Sequence, residues 1–206
     1  MDIDKQFKIA VSFYSAGDFS NCASICNAIL RDFPNAPRIL NLLANVKVHE
    51  GEIDKAVHLV KLAYKEAPLD TVVLLGYSEI MNRASHYSKA IALASEAIEI
   101  QPKFAEAYIN RGVARTACYE FLEARKDFNA ALSLNPDLEL VVLGNLVMLH
   151  GEEGQYETAR KLANRMVLKF PDSRDALELR SRFSMYTPSV NQEEEGKWAQ
   201  ALWSDD

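Results

Sequence analysis

A proline recurs along this chain at an almost constant interval, and this regularity constrains the fold more than any other feature. Successive members are 34, 34, 34 and 35 residues apart. The row consists of Pro34, Pro68, Pro102, Pro136 and Pro171. Because proline lacks an amide hydrogen and disfavours helix at the residue before it, each one is predicted to end a helix. A fixed spacing of such breaks predicts a chain built from structural repeats.

Two further rows of residues keep the same spacing as the prolines. A row of small residues comprises Cys22, Ala56, Ala90, Ala124 and Ala159. A row of apolar residues comprises Phe19, Ile53, Tyr87, Phe121 and Tyr156. Small residues let two helices approach closely, while larger neighbours fill the space beside the contact. Three rows in phase therefore predict an array of helical repeats.

Each repeat is predicted to contain two helices joined by a tight turn. Repeat 4 shows the pattern best, with a first helix over about 105–118 and a second over about 121–134. The phase of the rows places the five repeats at about 3–36, 37–70, 71–104, 105–138 and 139–172. An amphipathic segment over about 173–186 is predicted to cap the last repeat. The acidic tail, 187–206, is predicted to be flexible.

The turn inside each repeat shows an irregularity. Gly17, Gly51 and Gly154 mark it in repeats 1, 2 and 5, since glycine adopts a positive φ at little cost. Repeats 3 and 4 have Ser85 and Tyr119 at this place. The change of residue type predicts that these two turns are built differently.

The residues of these units resemble the tetratricopeptide repeat family. Its pattern has Leu, Gly or Ala, and Tyr on the first helix, then Ala, an aromatic residue, Ala and Pro on the second. Repeat 4 is the best match, with Tyr108, Gly112, Ala124, Phe128, Ala131 and Pro136. It departs from the pattern at Arg111 and Arg115. The resemblance covers roughly 3–171 and implies an all-α, right-handed superhelical solenoid of five repeats plus a C-terminal capping helix.

Composition and charge argue against several classes of function. The formal net charge of −6 argues against nucleic-acid binding and against docking on anionic lipid. No apolar run approaches the ~18 residues of a membrane span, so membrane insertion is not expected. The acidic N-terminus lacks the features of a secretory signal, and three cysteines fit a reducing compartment. A cytoplasmic location is therefore expected.

Catalytic and cofactor signatures are missing from the sequence, so neither enzymatic activity nor a cofactor is expected. Cys22 and Cys26, four residues apart, could hold a metal, but both fall in core positions where a small apolar side chain is wanted. Core packing is the favoured interpretation. His150, close to two glutamates, is the only other hint of a metal ligand, and a structural or solvated role is expected for it.

A row of polar residues on the first helices is the candidate binding site, since the resemblance implies that these helices line a concave groove. Asparagine offers both a donor and an acceptor to the main chain of a bound peptide, and arginine can hold a carboxylate in a fork. The groove residues are predicted to be Arg38, Asn41, Asn45, Glu79, Asn82, Arg83, Asn110 and Asn145. Contacts between repeats are the alternative role for the asparagines. The basic clamp that some relatives use for acidic chaperone tails is absent.

Two tryptophans in the acidic tail form a second candidate site. Trp198, Leu202 and Trp203 are predicted to anchor the tail on a partner or in the chain's own groove. A last helix folded on the cap is the alternative.

These patterns predict a non-enzymatic adaptor, assembly factor or chaperone with a protein or peptide partner. Two alternatives stay open. The chain could be the targeting or regulatory module of an enzyme, or a scaffold that self-associates through its tail.

Overall fold

The computed structural model describes residues 2–185, and this part of the chain is all-α, as predicted. Trp198, Leu202 and Trp203 lie outside the described residues. The helices are α1 (Ile3–Ser15), α2 (Phe19–Asp32), α3 (Pro37–His49), α4 (Ile53–Glu66), α5 (Thr71–Arg83), α6 (Tyr87–Ile100), α7 (Ala105–Ala117), α8 (Phe121–Leu134), α9 (Glu139–Glu152), α10 (Tyr156–Lys169) and α11 (Arg174–Phe183). Odd-numbered helices up to α9 correspond to the predicted first helices, and even-numbered ones to the second helices.

The proline row ends the second helices as predicted. Helix α2 ends at Asp32, two residues before Pro34, and α10 ends at Lys169, two residues before Pro171. The helices α4, α6 and α8 stop at the same distance from their prolines. The longer fourth interval, from Pro136 to Pro171, begins with a one-turn 3₁₀ helix at Pro136–Leu138, which the Asn135 side chain caps.

The turns of repeats 3 and 4 are not built differently, so that prediction was wrong. Ser85 and Tyr119 adopt φ values of 59° and 62°, in the same left-handed region as Gly17, Gly51 and Gly154. This conformation costs a residue with a side chain roughly 1–2 kcal/mol. The hydrogen bonds of the turn, together with the helices on either side of it, hold these two residues there.

The hydrogen bonds of the turn explain its uniform geometry. In repeat 2, Gly51 N donates to Val48 O at 3.0 Å. In repeat 3, Ser85 N donates to Asn82 O, also at 3.0 Å, and the next amide reaches back five residues to Met81 O. This 6→1 bond is that of the Schellman motif, which requires one residue with positive φ whatever its side chain.

Two compact units make up the chain, one up to Ala114 and one from Arg115. In the first unit, helices α1 to α5 each pack on the next one along the chain, and α3 also packs on α1 and α5. Its largest fully buried side chains include Ile29, Leu74, Ile80 and Leu93. Fully burying one such side chain contributes roughly 1.5–3 kcal/mol to the free energy of unfolding. These interhelical contacts therefore form the core of the first unit.

The second unit buries one face of each of its helices α8 to α11. The core contains Phe128, Leu143, Leu146 and Met166, each at most 1% exposed. Helix α11 packs on α9 and α10, and its Phe183 is 3% exposed. The remaining faces of α9 and α11 border the groove described below.

Candidate partner-binding surface

Asn41, the first asparagine of the predicted row, lies between two first helices. Its side chain is 6% exposed, and its amide donates to the backbone carbonyl of Val72 on α5 at 3.3 Å. Gly76 makes this approach possible, because a Cβ atom at that position would overlap the Asn41 side chain. Asn41 therefore belongs to the α3–α5 contact, and its own surface for a partner is small.

Asn82 and Asn110 link the next two first helices. The Asn82 amide on α5 donates to the backbone carbonyl of Asn110 on α7 at 2.9 Å. The Asn110 amide donates back to the Leu75 carbonyl on α5 at 3.2 Å. Both side chains are partly exposed. The structure thus gives these asparagines the contacts between repeats that the sequence left open as an alternative.

Arg38 is held by an acidic partner at the start of α5. Its Nε donates to Asp70 Oδ2 at 2.9 Å, and its side chain is 58% exposed. Asp70 also accepts from the backbone N–H groups of Val72 and Val73 as the N-cap of α5. Burial would raise the pKa of Asp70, but Arg38 and the two N–H groups outweigh it and lower the pKa. Arg38 still presents most of its guanidinium to solvent.

Four residues remain available on the same side of α3 and α5. Asn45 and His49 are four residues apart on α3, and Glu79 and Arg83 are four apart on α5, so each pair shares one helix face. Asn45 and Glu79 are partly exposed, whereas His49 and Arg83 are exposed. This face carries both charge signs and an amide.

Tyr14 on α1 also lies next to these residues, although it is not among the predicted groove residues. Its hydroxyl lies 3.1 Å from His49 Nε2, and the His49 ring stacks on Phe19 at a centroid distance of 4.2 Å. Burial, and then the nearby Glu79 carboxylate, raise the pKa of Tyr14, while Arg83 acts in the opposite direction. Tyr14 therefore lies close to the charged pair of α5.

These residues together are named the first-helix surface, defined as Tyr14, Asn45, His49, Glu79 and Arg83. A spacing signal could have found the two aromatic members, because Tyr14 and His49 are 35 residues apart and His49 and Arg83 are 34 apart. The ring edges supply apolar contact area, and the charges and amide supply directional hydrogen bonds. This is the composition that protein–protein interfaces favour.

Asn145, the last asparagine of the row, lies in the second unit. Its amide donates to the Val141 carbonyl of its own helix at 2.9 Å. Asn145 borders a groove of about 710 Å³ between α9 and α11, with Met166 of α10 beneath. The groove is apolar along α9 and charged along the rim that α11 contributes.

The two departures from the repeat pattern make polar contacts. Arg111 Nη1 donates to Ser95 Oγ at 3.2 Å. Arg115 Nη1 donates to Asp127 Oδ2 at 2.7 Å, and the Asp127 side chain is 3% exposed. Arg115 therefore satisfies the buried Asp127 carboxylate with a charge-assisted hydrogen bond, which an apolar residue at this position could not supply.

The two closely spaced cysteines pack in the core, as predicted. Cys22 and Cys26 are both 0% exposed within an apolar cluster that includes Ile29 and Val46. Burial, and then the neighbouring Cys22, raise the pKa of Cys26 to about 12. Within residues 2–185, His, Cys, Asp and Glu side chains form no group of three that could hold a metal ion. Over the same range, every helix falls short of the length and apolar character of a membrane span.

Paired helices in a regular register, with a polar and aromatic surface on the first helices, define a helical repeat protein. A sequence profile of the tetratricopeptide repeat matches residues 6–36. A solved structure, the thermophilic TPR protein TTC0263 of Thermus thermophilus, is similar in fold with a TM-score of 0.75. It is 19% identical, over 88% of this chain and 97% of that chain. The chain thus contains a tetratricopeptide repeat and has the fold of such repeat proteins.

Two curated relatives have the same name, BBSome complex member BBS4. The protein of Mus musculus is 27% identical over 154 residues, which are 72% of this chain and 30% of the relative. That of Bos taurus is 31% identical over 163 residues, which are 76% of this chain and 31% of the relative. The chain thus spans slightly less than a third of the length of these relatives.

Proposed function

We propose that this chain is a non-enzymatic interaction module that binds a peptide or helix of a partner protein along its first helices. The observation that supports this most is the first-helix surface, where Tyr14 contacts His49 and lies near Glu79 and Arg83. Arg38 on α3 and the partly exposed Asn82 on α5 extend this surface along the two helices. Tetratricopeptide repeat proteins generally act in this way, which supports the proposal at the level of class.

The partner is proposed to be a protein segment with both charged and apolar side chains. Glu79 and Arg83 place opposite charges four residues apart on one face, so a partner of a single charge sign would meet repulsion at one of them. The aromatic edges of Tyr14 and His49 favour an apolar anchor between these charges. A purely acidic tail does not match this arrangement.

The chain is further proposed to act within a multiprotein assembly. The name of the two mammalian relatives describes them as members of a complex, and this chain matches slightly less than a third of their length. A repeat array of this size supplies one binding surface to such an assembly.

Affinity capture from native lysate tests the proposal. The baits are the intact chain, the double variant Asn45→Ala with Arg83→Ala, and a matched control, Asn27→Ala with Lys61→Ala. The control residues are exposed on the second helices α2 and α4. A protein held by the intact chain and the control but lost by the first variant supports binding on the first helices. Equal capture by all three baits contradicts it.

A further inference from the structure

The groove of the second unit has an apolar interior that borders the core. Its wall and floor are formed by Leu140, Val141, Gly144, Met148, Met166 and Leu179. Val141 is 49% exposed, although it is aliphatic. The volume of about 710 Å³ lies within the range of roughly 300–1,000 Å³ that is usual for ligand sites.

Gly144 keeps the floor of the groove open. A Cβ atom there would lie 3.5 Å from Met166 Cε and 3.6 Å from Leu179 Cδ1, which is ordinary van der Waals contact. Because Met166 and Leu179 both line the groove, a longer side chain at this position would occupy part of its floor. The position therefore offers a way to fill the groove without rebuilding the helix.

We propose that the tail segment 197–203 of the same chain binds in this groove, with Trp198, Leu202 and Trp203 as its anchors. Trp198 is 13 residues beyond Met185, the last described residue after α11. An extended link of that length reaches about 43 Å. Helix α11 has 10 residues and is about 15 Å long, so the segment can return along the whole groove.

The side chains of the groove suit an indole. The thioethers of Met148 and Met166 make favourable contacts with aromatic rings. Arg182 lies at the mouth, with its Nη1 3.3 Å from Met148 Sδ, and can place a cation over a tryptophan face. Burial of the anchors would remove the apolar area of Val141 from water.

Charge around the groove is mixed. The segment 187–206 contains five acidic residues and one lysine. The charged residues that line the groove are Asp175, Glu178 and Arg182. Arg182 attracts the acidic stretches beside the anchors and the two carboxylates repel them, so the reach of the tail and the apolar lining are what favour this occupant.

Tethering favours the chain's own segment over a second copy. A short flexible link gives an effective concentration on the order of 1 mM, so a segment with an intrinsic Kd of about 100 μM is docked about 90% of the time. Docking of the tail in the groove does not depend on partner binding at the first-helix surface. Either claim can be wrong while the other holds, because the fluorescence experiment contains no partner.

Tryptophan fluorescence of the full chain tests the inference directly, since its two tryptophans are both in the tail. The reference is a synthetic peptide of residues 187–206. We expect a blue-shifted emission for the intact chain and collisional quenching up to roughly tenfold weaker than for the peptide, in line with about 90% docking. Both should be independent of protein concentration. Emission equal to that of the peptide would overturn the inference.

Groove variants locate the docked tail. Gly144→Leu fills the groove, and Val141→Glu places a charge on its exposed wall; either should restore the emission of the free peptide with unchanged helicity. Gly144→Ala leaves the groove open and should keep the blue shift. A blue shift that survives both groove variants would place the tail elsewhere, and one that grows with concentration would mean docking on a second copy. Either result contradicts the proposal.

Discussion

The side-chain amide of Asn82 donates to the backbone carbonyl of Asn110, and Asn110 donates back to the helix that carries Asn82. This reciprocal link joins successive first helices, α5 and α7. The amide groups of this link are donors that were predicted from the sequence to bind the main chain of a partner. Asn41, Asn82 and Asn110 therefore order the repeats, while Tyr14, Asn45, His49, Glu79 and Arg83 are the residues that present new contacts.

Removing either amide of this link should lower stability. Asn82→Ala or Asn110→Ala is expected to reduce the free energy of unfolding by about 1 kcal/mol, the net value of one hydrogen bond. Asn145→Ala is the matched control, because its amide bonds only within its own exposed helical turn. Urea denaturation measures all three. Losses no larger than that of the control would show that the link contributes nothing.

The close approach of α3 and α5 should depend on Gly76 and Asn41 jointly. Gly76→Ala is expected to cost about 1–3 kcal/mol through overpacking against the Asn41 side chain. In an Asn41→Ala background the same change should be neutral or stabilising, since alanine favours helix over glycine. A double-mutant cycle measures the coupling. Additive effects would contradict the assigned contact.

The strained turns of repeats 3 and 4 should improve with glycine. Ser85→Gly or Tyr119→Gly is expected to raise the free energy of unfolding by about 0.5–1 kcal/mol. Glycine relieves the backbone strain of the left-handed conformation, but it also gives the unfolded chain more conformational entropy, which cancels part of the gain. The reverse change, Gly51→Ala, should be destabilising. Thermal unfolding gives the order of these variants. Destabilisation by both glycine substitutions would mean that the side chains stabilise the turns.

Thiol chemistry should separate the three cysteines. Cys22 and Cys26 are buried, whereas Cys118 is partly exposed, so Cys118 alone should react with a disulfide reagent before unfolding. The pKa of Cys26 is raised from 9.0 to about 12 in the folded chain, so the folded state retains a proton that the unfolded state loses. Its contribution to stability is complete below about pH 9 and is lost as pH rises toward about 12. Rapid reaction of all three thiols at neutral pH would contradict the packing.

Much of the fold could be predicted because three independent rows repeat in phase. The predicted second helix of repeat 4, about 121–134, is α8 as observed, and its first helix ends one residue earlier than expected. Proline and small-residue positions determine where helices stop and touch, and both are visible in sequence. The turns at Ser85 and Tyr119 escaped prediction, because the helices on either side and the 6→1 hydrogen bond force a positive φ whatever the side chain.

The candidate site was harder to predict because a helical position does not reveal what its side chain bonds to. Asn41 and Asn45 differ by one helical turn, yet one is 6% exposed beside Gly76 and the other is partly exposed. Tyr14 and His49 come from different repeats and meet only when α1 packs on α3. Such pairs depend on the interhelical geometry, which residue types alone do not specify.

Hydroxyl-radical footprinting of the chain with its captured partner tests whether the partner binds along the first helices. We predict that the partner protects Tyr14 and His49 from oxidation and leaves exposed His58 on α4 and Tyr119 at its turn unchanged. Protection of His58 or Tyr119 with Tyr14 and His49 still reactive would place the interface away from the first helices and contradict this prediction.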